Sequence, residues 1–246
     1  MLKPANLFRV IIIAGLLTFL IKPQLFAPLL DIFTNQGQPA IYTQASLLSL
    51  TLSHLAIVAV ASCASAFVAI GLAILVTRPL GAEFLSLSHA IADIGQAFPP
   101  VAVLALAVPA IGFGVLPTVI ALFLYGILPI FENTVSGLTN LPASVIDSAD
   151  GMGMTALQKL LNVEIPLALP MILTGIRLSV VIGIATATLG STVAAPTLGE
   201  VIIAGLLSNN LAFVVQGGVL VSLLSVLIFD FLLILEKKTQ HGISSG

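Results

Sequence analysis

The chain has 246 residues, of which 59% are hydrophobic and 7% are charged, and its formal net charge is −2. Soluble domains carry about 25% charged residues, so this composition excludes a soluble globular protein, and the negative charge argues against a nucleic-acid partner. The long apolar stretches lack the alternation of an outer-membrane barrel, and we therefore predict an all-α polytopic membrane protein. Spans of about 20 residues leave room for about five or six of them in a single transmembrane domain, residues 1–246.

Three spans are predicted in the first half of the chain. Span one covers Leu7–Ile21, and because no small-residue cleavage site follows it, we expect a retained span and not a signal peptide. A short interfacial piece is expected at Leu25–Phe33, before span two at His54–Val76, whose small residues favour close helix packing. Span three, Ile91–Ile111, contains Pro99-Pro100, and a helix broken at membrane depth has to face protein or a water-filled cavity.

Three more spans are predicted in the second half. Span four covers Thr118–Phe131 and is short, and Pro129 is expected to interrupt it. Span five covers Leu167–Leu189 and span six covers Phe213–Leu235, where the charged residues that follow are expected to close the helix. The core spans therefore cover about residues 44–235. A polar loop at about residues 140–166 lies between spans four and five, in a chain where charges are otherwise scarce.

The distribution of lysine and arginine predicts the orientation. Placing the N-terminus inside leaves only Lys22 of the loop cations outside and puts six in the cytoplasm, namely Lys3, Arg9, Arg78, Lys159, Lys237 and Lys238. An even number of spans then returns the C-terminus to the cytoplasm. We therefore expect a multi-pass protein of the bacterial inner membrane, with both termini and the polar loop in the cytoplasm.

The first part of the polar loop has the pattern of a short amphipathic helix. Residues Ser144–Asp150 have helical spacing, with Val145, Ile146 and Ala149 toward one face. The segment Gly151-Met-Gly153 follows, and two glycines at this place are expected to break the helix. An amphipathic helix outside the membrane can lay its apolar face into a groove of a partner.

A second helix is predicted directly after the glycines. Thr155 and Gln158 have the spacing of a capping box at its N-terminus, and Ile165-Pro166 is expected to end it. One interpretation is an ordinary interfacial helix resting on lipid, but such helices usually carry lysine and arginine on their polar face. This loop carries more acid than base, which favours a protein partner.

The loop resembles the cytoplasmic "EAA" loop of ATP-binding-cassette importer permeases, which reads Glu-Ala-Ala, three residues, Gly, about nine residues, then Ile-x-Leu-Pro. The corresponding residues here are Asp147-Ser148-Ala149, Gly153 and Ile165-Pro166, with Asp for Glu, Ser for the first Ala and Ile for Leu. The resemblance implies a type I importer permease fold whose loop forms a coupling helix in a cleft of a separate ATPase subunit. The implied coupling residues are Asp147, Ser148, Ala149, Gly151, Gly153, Ile165 and Pro166.

Further segments are similar to permeases of osmoprotectant importers, which carry glycine betaine, choline, carnitine or proline. They include Thr77-Arg78-Pro79, Gly95–Val103, Gly151-Met-Gly-Met-Thr155 and the run from Glu164 through Gly175-Ile-Arg177, and the likeness covers about residues 44–218. The resemblance implies a compatible-solute importer with a second permease subunit, identical or paralogous, and an extracytoplasmic binding protein.

The residues that are missing point to the same partners. The chain has no phosphate-binding loop, so it binds no ATP itself and another subunit has to supply the ATPase. It has no Trp and only 2 Tyr, so it is poorly equipped to build the aromatic cage that best holds a quaternary ammonium, which places selectivity on the binding protein. The three histidines show no metal-ligand spacing, and no cofactor is expected.

Polar and proline residues within the spans are candidates for the translocation pathway or its gate, and they are Asp93, Gln96, Pro99, Pro100, Arg177, Thr186 and Thr188. Asp93 either caps a helix at the interface or forms a gate ion pair, with Arg177 as a candidate partner. Arg177 itself either reaches the interface or faces the protein interior. One of the two threonines lines the pathway, or both bond back to their own helix.

Three alternatives stay open from the sequence. The first is a permease of the same fold for amino acids or another small nutrient. The second is a secondary transporter, which predicts an inverted repeat that we do not find and leaves the polar loop unexplained. The third is a membrane scaffold, which would need neither broken spans nor a glycine break in the loop.

Overall fold

The computed structural model describes residues 4–35 and 37–244, and these residues are helical wherever they are regular. Lys3, one of the cations used to predict the orientation, lies outside them. The helices in chain order are α1 (Pro4–Ile21), α2 (Ala27–Leu30), α3 (Leu47–Val76), α4 (Leu85–Ala97), α5 (Pro100–Ile111), α6 (Val115–Thr139), α7 (Ala143–Gly151), α8 (Ala156–Lys159), α9 (Ile165–Thr186), α10 (Gly199–Leu207) and α11 (Leu211–Ser244).

Four helical stretches are long and apolar enough to cross a membrane, and two bent helix pairs raise the number to as many as six. This agrees with the all-α polytopic protein predicted from the sequence. The four stretches are Leu47–Val76, Val115–Thr139, Ala156–Val193 and Leu211–Thr239. The bent pairs are Arg9–Ile21 with Pro23–Phe33, at 112°, and Ala82–Ala97 with Pro100–Ile111, at 88°.

The predicted break in span three is confirmed and falls at Pro99. The helical conformation is disfavoured for a residue before proline, and Phe98 has φ −68° and ψ 128°, where α4 ends. The Phe98 carbonyl, which the break releases from the helix, accepts a hydrogen bond from the Tyr125 hydroxyl of α6. A polar side chain on a neighbouring helix therefore satisfies a backbone group that lipid could not satisfy.

The prediction that Pro129 interrupts span four is wrong. Helix α6 continues through Pro129 to Thr139, so span four is longer than predicted, and the polar loop begins at residue 140 as expected. A proline removes one backbone hydrogen bond, but at membrane depth no water competes for the remaining ones, and neighbouring groups compensate for the loss. Asn133 contributes locally, because its Nδ2 donates to the Pro129 carbonyl at 2.8 Å.

The prediction that Ile165-Pro166 ends the second loop helix is also wrong. Residues Leu160–Glu164 form a π-turn, and the chain passes from α8 through this turn into α9 without leaving helical conformation. A proline ring in an α-helix clashes with the carbonyl four residues earlier. The wider π-turn moves that carbonyl away, so that Pro166 fits without breaking the helix.

The end of span six was likewise placed too early. Helix α11 continues past Leu235 to Ser244. The acid expected to close it, Glu236, is buried and forms an ion pair with Arg177, so its charge does not require an exit into water. A charged residue therefore marked the end of a span wrongly because its partner lay far away in the sequence.

The chain forms two compact units, whose boundaries fall within helices α3, α6, α9 and α11 and at the Pro99-Pro100 break. One unit combines residues 1–60, 100–122 and 183–229. His54 is fully buried in it, where Nε2–H donates to the Ile184 carbonyl at 3.0 Å and Nδ1 accepts from the Leu198 N–H at 3.3 Å. Both ring nitrogens are thus satisfied by backbone, which identifies His54 as a structural residue.

A second polar contact of the same unit joins Tyr42 to α10. The buried Tyr42 hydroxyl donates to Glu200 Oε1 at 2.6 Å, and its backbone N–H donates to Gln216 Oε1 at 3.0 Å. Burial, and then the neighbouring Glu200, raise the pKa of Tyr42. Tyr42 precedes α3, and so these contacts fasten the segment outside the span to the helices that follow.

The other unit combines residues 61–99, 123–182 and 230–246 and contains the polar loop. Its helices α6 and α9 pack backbone to backbone. A Cβ on Gly175 would lie 2.7 Å from the Pro129 carbonyl oxygen, and a Cβ on Gly137 would lie 3.2 Å from the Ala168 Cβ. Small residues at these places allow the close approach that holds helices together in lipid.

Candidate functional site

Helix α7 of the polar loop has one exposed and one sheltered face. Ala149 is buried and Val145 and Ile146 are half-buried, as the helical spacing predicted. Asp147 and Ser148 are exposed on the opposite side. The sheltered face holds the helix against its own unit, and the polar face is available to a partner.

The end of α7 is a glycine cap. Gly153 has φ +72°, its N–H donates to the Asp150 carbonyl at 3.0 Å, and the Met154 N–H donates to the Ala149 carbonyl at 3.2 Å. These two bonds form a Schellman motif, with Gly153 as the left-handed residue after the helix. Gly151 is the last residue of α7, so the break predicted for both glycines is made by Gly153.

The capping box predicted for α8 is confirmed. Thr155 Oγ1 accepts from the Gln158 N–H at 3.3 Å, and Gln158 Oε1 accepts from the Thr155 N–H at 2.9 Å. An ion pair from Lys159 Nζ to Asp150 Oδ1, at 2.7 Å, connects α8 with α7. Because Asp150 is exposed, this pair contributes little to stability, and the two caps determine the shape of the loop.

The loop also exposes large apolar side chains. Met152 is 68% exposed, Leu157 is 64% exposed and Leu161 is 55% exposed. Apolar side chains with a polar surround mark sites of protein or membrane contact. We call the surface formed by Asp147, Ser148, Met152, Leu157 and Leu161 the loop surface.

The π-turn below the loop contains a buried acid that the sequence reasoning missed. Glu164 forms an ion pair with Arg78, in which Arg78 Nη2 lies 2.6 Å from Glu164 Oε2. Only 6% of the Glu164 side chain is exposed. From sequence spacing alone, Glu164 would be one position of an amphipathic helix, and Arg78 would be the charge that ends span two. An acid next to an apolar span requires a partner, and that rule was the available signal, since Arg78 is one of few cations in the chain.

Two further pairs join helices of the same unit. Arg177 on α9 pairs with Glu236 on α11 at 3.2 Å, with 13% and 10% of their side chains exposed. Of the two positions open to Arg177, the structure therefore shows the one that faces the protein. The His89 ring and the Glu132 carboxylate also form a pair, between α4 and α6. Sequence spacing anticipated neither partner.

The other pathway candidates lie at helix ends or breaks. Asp93 is exposed and Gln96 is half-buried, and both lie on α4 shortly before its break. Thr186 is the last residue of α9. Thr188 Oγ1 donates to the Ala185 carbonyl at 2.7 Å, which is the backbone bond that we considered as its alternative. Among the described residues there is no group of three or more His, Cys, Asp or Glu that could hold a metal ion.

Several membrane-crossing helices with a structured polar loop between two of them define a multi-pass membrane protein. The family model described as "Binding-protein-dependent transport system inner membrane component" matches residues 69–241. The chain belongs to this family. Membership confirms the interpretation as a component of an inner-membrane transport system and not an enzyme.

Curated relatives match over most of their length. The chain is 40% identical over 190 residues to the osmoprotectant import permease protein OsmY of Salmonella typhimurium, covering 77% of this chain and 80% of the relative. It is 35% identical over 183 residues to the glycine betaine/carnitine/choline transport system permease protein OpuCB of Bacillus subtilis, covering 72% and 84%.

A solved structure shows the same fold. An inward-facing form of the MetNI methionine ABC transporter has a TM-score of 0.71 and 20% sequence identity, covering 78% of this chain and 95% of that chain. This likeness confirms the predicted fold of an ABC importer permease.

Proposed function

We propose that the chain is the permease subunit of an ATP-driven importer of compatible solutes such as glycine betaine, choline or carnitine. One observation carries the substrate class, namely identity of 35% to 40% over about three quarters of the chain to permeases named for these solutes. The amino-acid alternative has less support, because the methionine transporter is only 20% identical and bears on the fold alone.

We infer that a separate ATPase subunit docks on the loop surface. The residues proposed for coupling have different parts in this. Asp147 and Ser148 are exposed and available for contact, whereas buried Ala149 fixes the face that α7 presents. Gly153 caps α7. The remaining three support the loop at the end of α7 and at the π-turn, and they are Gly151, Ile165 and Pro166.

The other partners complete the proposed importer. A second permease subunit, identical or paralogous, supplies the other half of the pathway, and an extracytoplasmic binding protein delivers the solute. The termini and the loop lie in the cytoplasm. The proposed pathway and gate residues stay those of the sequence analysis, Asp93, Gln96, Pro99, Pro100, Arg177, Thr186 and Thr188.

Uptake of labelled solute tests the substrate class. Cells that lack this gene should lose saturable uptake of glycine betaine and regain it with the gene restored, while methionine uptake stays unchanged. Loss of methionine uptake without loss of glycine betaine, choline or carnitine uptake would favour the amino-acid permease.

A charged substitution in the loop tests the docking site. In Gly153→Asp, we expect loss of uptake and of ATPase co-purification at a normal level of membrane-inserted protein. Gly37→Asp is the matched control, because Gly37 is also exposed with φ +84° but lies outside the loop, and this variant should keep the ATPase bound. Wild-type uptake by Gly153→Asp would refute the coupling assignment.

A further inference from the structure

Helix α9 is the only described membrane-crossing helix that is joined to the loop surface by unbroken helix. The run from Ala156 in the loop to Val193 includes α8, the π-turn and α9. A movement of the loop surface would therefore move α9 directly. Which other helices move with α9 depends on the contacts along its length.

The first contact is at the π-turn, where α9 begins. Glu164 projects into the protein and pairs with Arg78 at 2.6 Å, two residues after the end of α3. The side chain of Arg78 also donates from Nη2 to Thr77 Oγ1 at 3.4 Å, which keeps it close to its own backbone. The start of α9 is thereby fastened to the end of α3.

The second contact lies about 20 Å farther along the helix, at 1.5 Å per residue. There Arg177 pairs with Glu236 of α11 at 3.2 Å. Between the two pairs, Gly175 brings the backbone of α9 against Pro129 of α6. All these residues belong to the same compact unit, so three contacts, with α3, α6 and α11, hold residues 165–182 of α9 within it.

Stability alone does not explain why these helix contacts are ion pairs. Apolar residues of similar size are often as stable as a buried ion pair. In a membrane, however, an apolar helix contact can be exchanged for contact with lipid at little loss, because lipid tails are as apolar as leucine. Separating either pair would instead leave a buried carboxylate, Glu164 or Glu236, without its partner, and so the pairs resist sliding and rotation of one helix against another.

We propose that Arg78–Glu164 and Arg177–Glu236 are positioning pairs that transmit movement of the loop surface through α9 to α3 and α11, and so couple ATP hydrolysis to transport. This inference rests on the proposed docking of an ATPase. The inference makes a separate prediction. The two ion pairs should not be needed for ATPase binding, but they should be needed for the movement of the bound ATPase to drive import.

The test measures glycine betaine import per ATP hydrolysed, with the complete importer in proteoliposomes, together with ATPase co-purification. We expect Glu164→Gln and Arg177→Gln to keep the ATPase bound while import per ATP falls by about fivefold or more, the lower range of measured coupling between sites. The charge-exchanged double variant Arg78→Glu with Glu164→Arg should regain import per ATP. Glu83→Gln, which removes an exposed acid of the same unit, should leave it unchanged.

A double variant with Arg78→Met and Glu164→Met separates coupling from folding, because it leaves no buried charge without a partner. We expect normal membrane insertion but low import per ATP. Wild-type import per ATP in this variant, or no gain in the charge-exchanged variant over Glu164→Gln, would overturn the inference. Those results leave the docking proposal standing if Gly153→Asp still loses the ATPase, whereas an ATPase that stays bound in Gly153→Asp refutes the docking itself.

Discussion

The left-handed conformation of Gly153 gives a graded prediction for the loop. A residue with a Cβ at φ +72° is strained by about 1–2 kcal/mol, except that Asn adopts this region more readily than other residues. A β-branched residue is the least tolerated. If backbone strain determines ATPase affinity, the affinity should therefore decrease from Gly153→Asn to Gly153→Ala to Gly153→Val. This order differs from the order of side-chain volume.

The strain can be converted into an expected loss of affinity. Because the Schellman bonds to Ala149 and Asp150 hold the loop in this shape, relaxing the strain means leaving the shape that we propose binds the ATPase. A penalty of about 1–2 kcal/mol corresponds to a factor of about 5–30, which is the largest loss expected for Gly153→Ala. Affinity of the purified ATPase for the permease in nanodiscs measures it directly.

Gly37→Ala serves as the control for this series, because it introduces the same strain at φ +84° in a different loop. It should lower thermal stability without lowering ATPase affinity. If Gly153→Ala binds the ATPase more tightly than Gly153→Asn, side-chain volume in the interface decides and not the backbone. That order, or wild-type affinity for Gly153→Val, would refute the argument.

Three further predictions concern the scaffold, each measured as thermal unfolding of the purified protein. Gly175→Ala should destabilise by about 1–3 kcal/mol, the usual effect of overpacking, because its Cβ would lie 2.7 Å from the Pro129 carbonyl oxygen; an unchanged midpoint would contradict the close packing. His54→Ala should lower the free energy of unfolding by about 2 kcal/mol or more, because it leaves two buried backbone groups without a partner. A smaller decrease would mean that other groups satisfy the Ile184 carbonyl and the Leu198 N–H. Because the pKa of Tyr42 is raised, the folded state keeps a proton that the unfolded state loses above about pH 10, and stability should fall as pH rises above that value. Tyr42→Phe should reduce this fall. An equal fall in both proteins would contradict the raised pKa of Tyr42.

Local patterns predicted the features that depend on a few neighbouring residues. The break at Pro99, the buried face of α7 and the capping box of Thr155 all follow from conformational limits or spacing within one or two turns, and each is confirmed. The number of spans follows from length and hydropathy for the same reason, since the membrane imposes one dimension on every helix.

Interactions between distant segments could not be predicted in this way. Pro129 was expected to end a helix because proline does so in water, but in this fold Asn133 and the close packing at Gly175 support the helix around it. Glu236 was expected at a helix end because it begins a run of charges after an apolar span, but its partner, Arg177, is on another helix. The sequence shows the charges but not which of them meet.

The π-turn explains why this failure affected the candidate site most. Successive residues of an α-helix are rotated by about 100°, so one extra residue in the turn rotates everything before it relative to everything after it. The turn accommodates Pro166 and, in doing so, buries Glu164 against Arg78 while Leu161 stays exposed on the loop surface. A uniform helical period would instead place Glu164 on the same face as Leu157 and Leu161. The proline that was expected to end the second loop helix is therefore part of a continuous helical connection from the loop surface to α9, and the coupling that we propose requires that continuity.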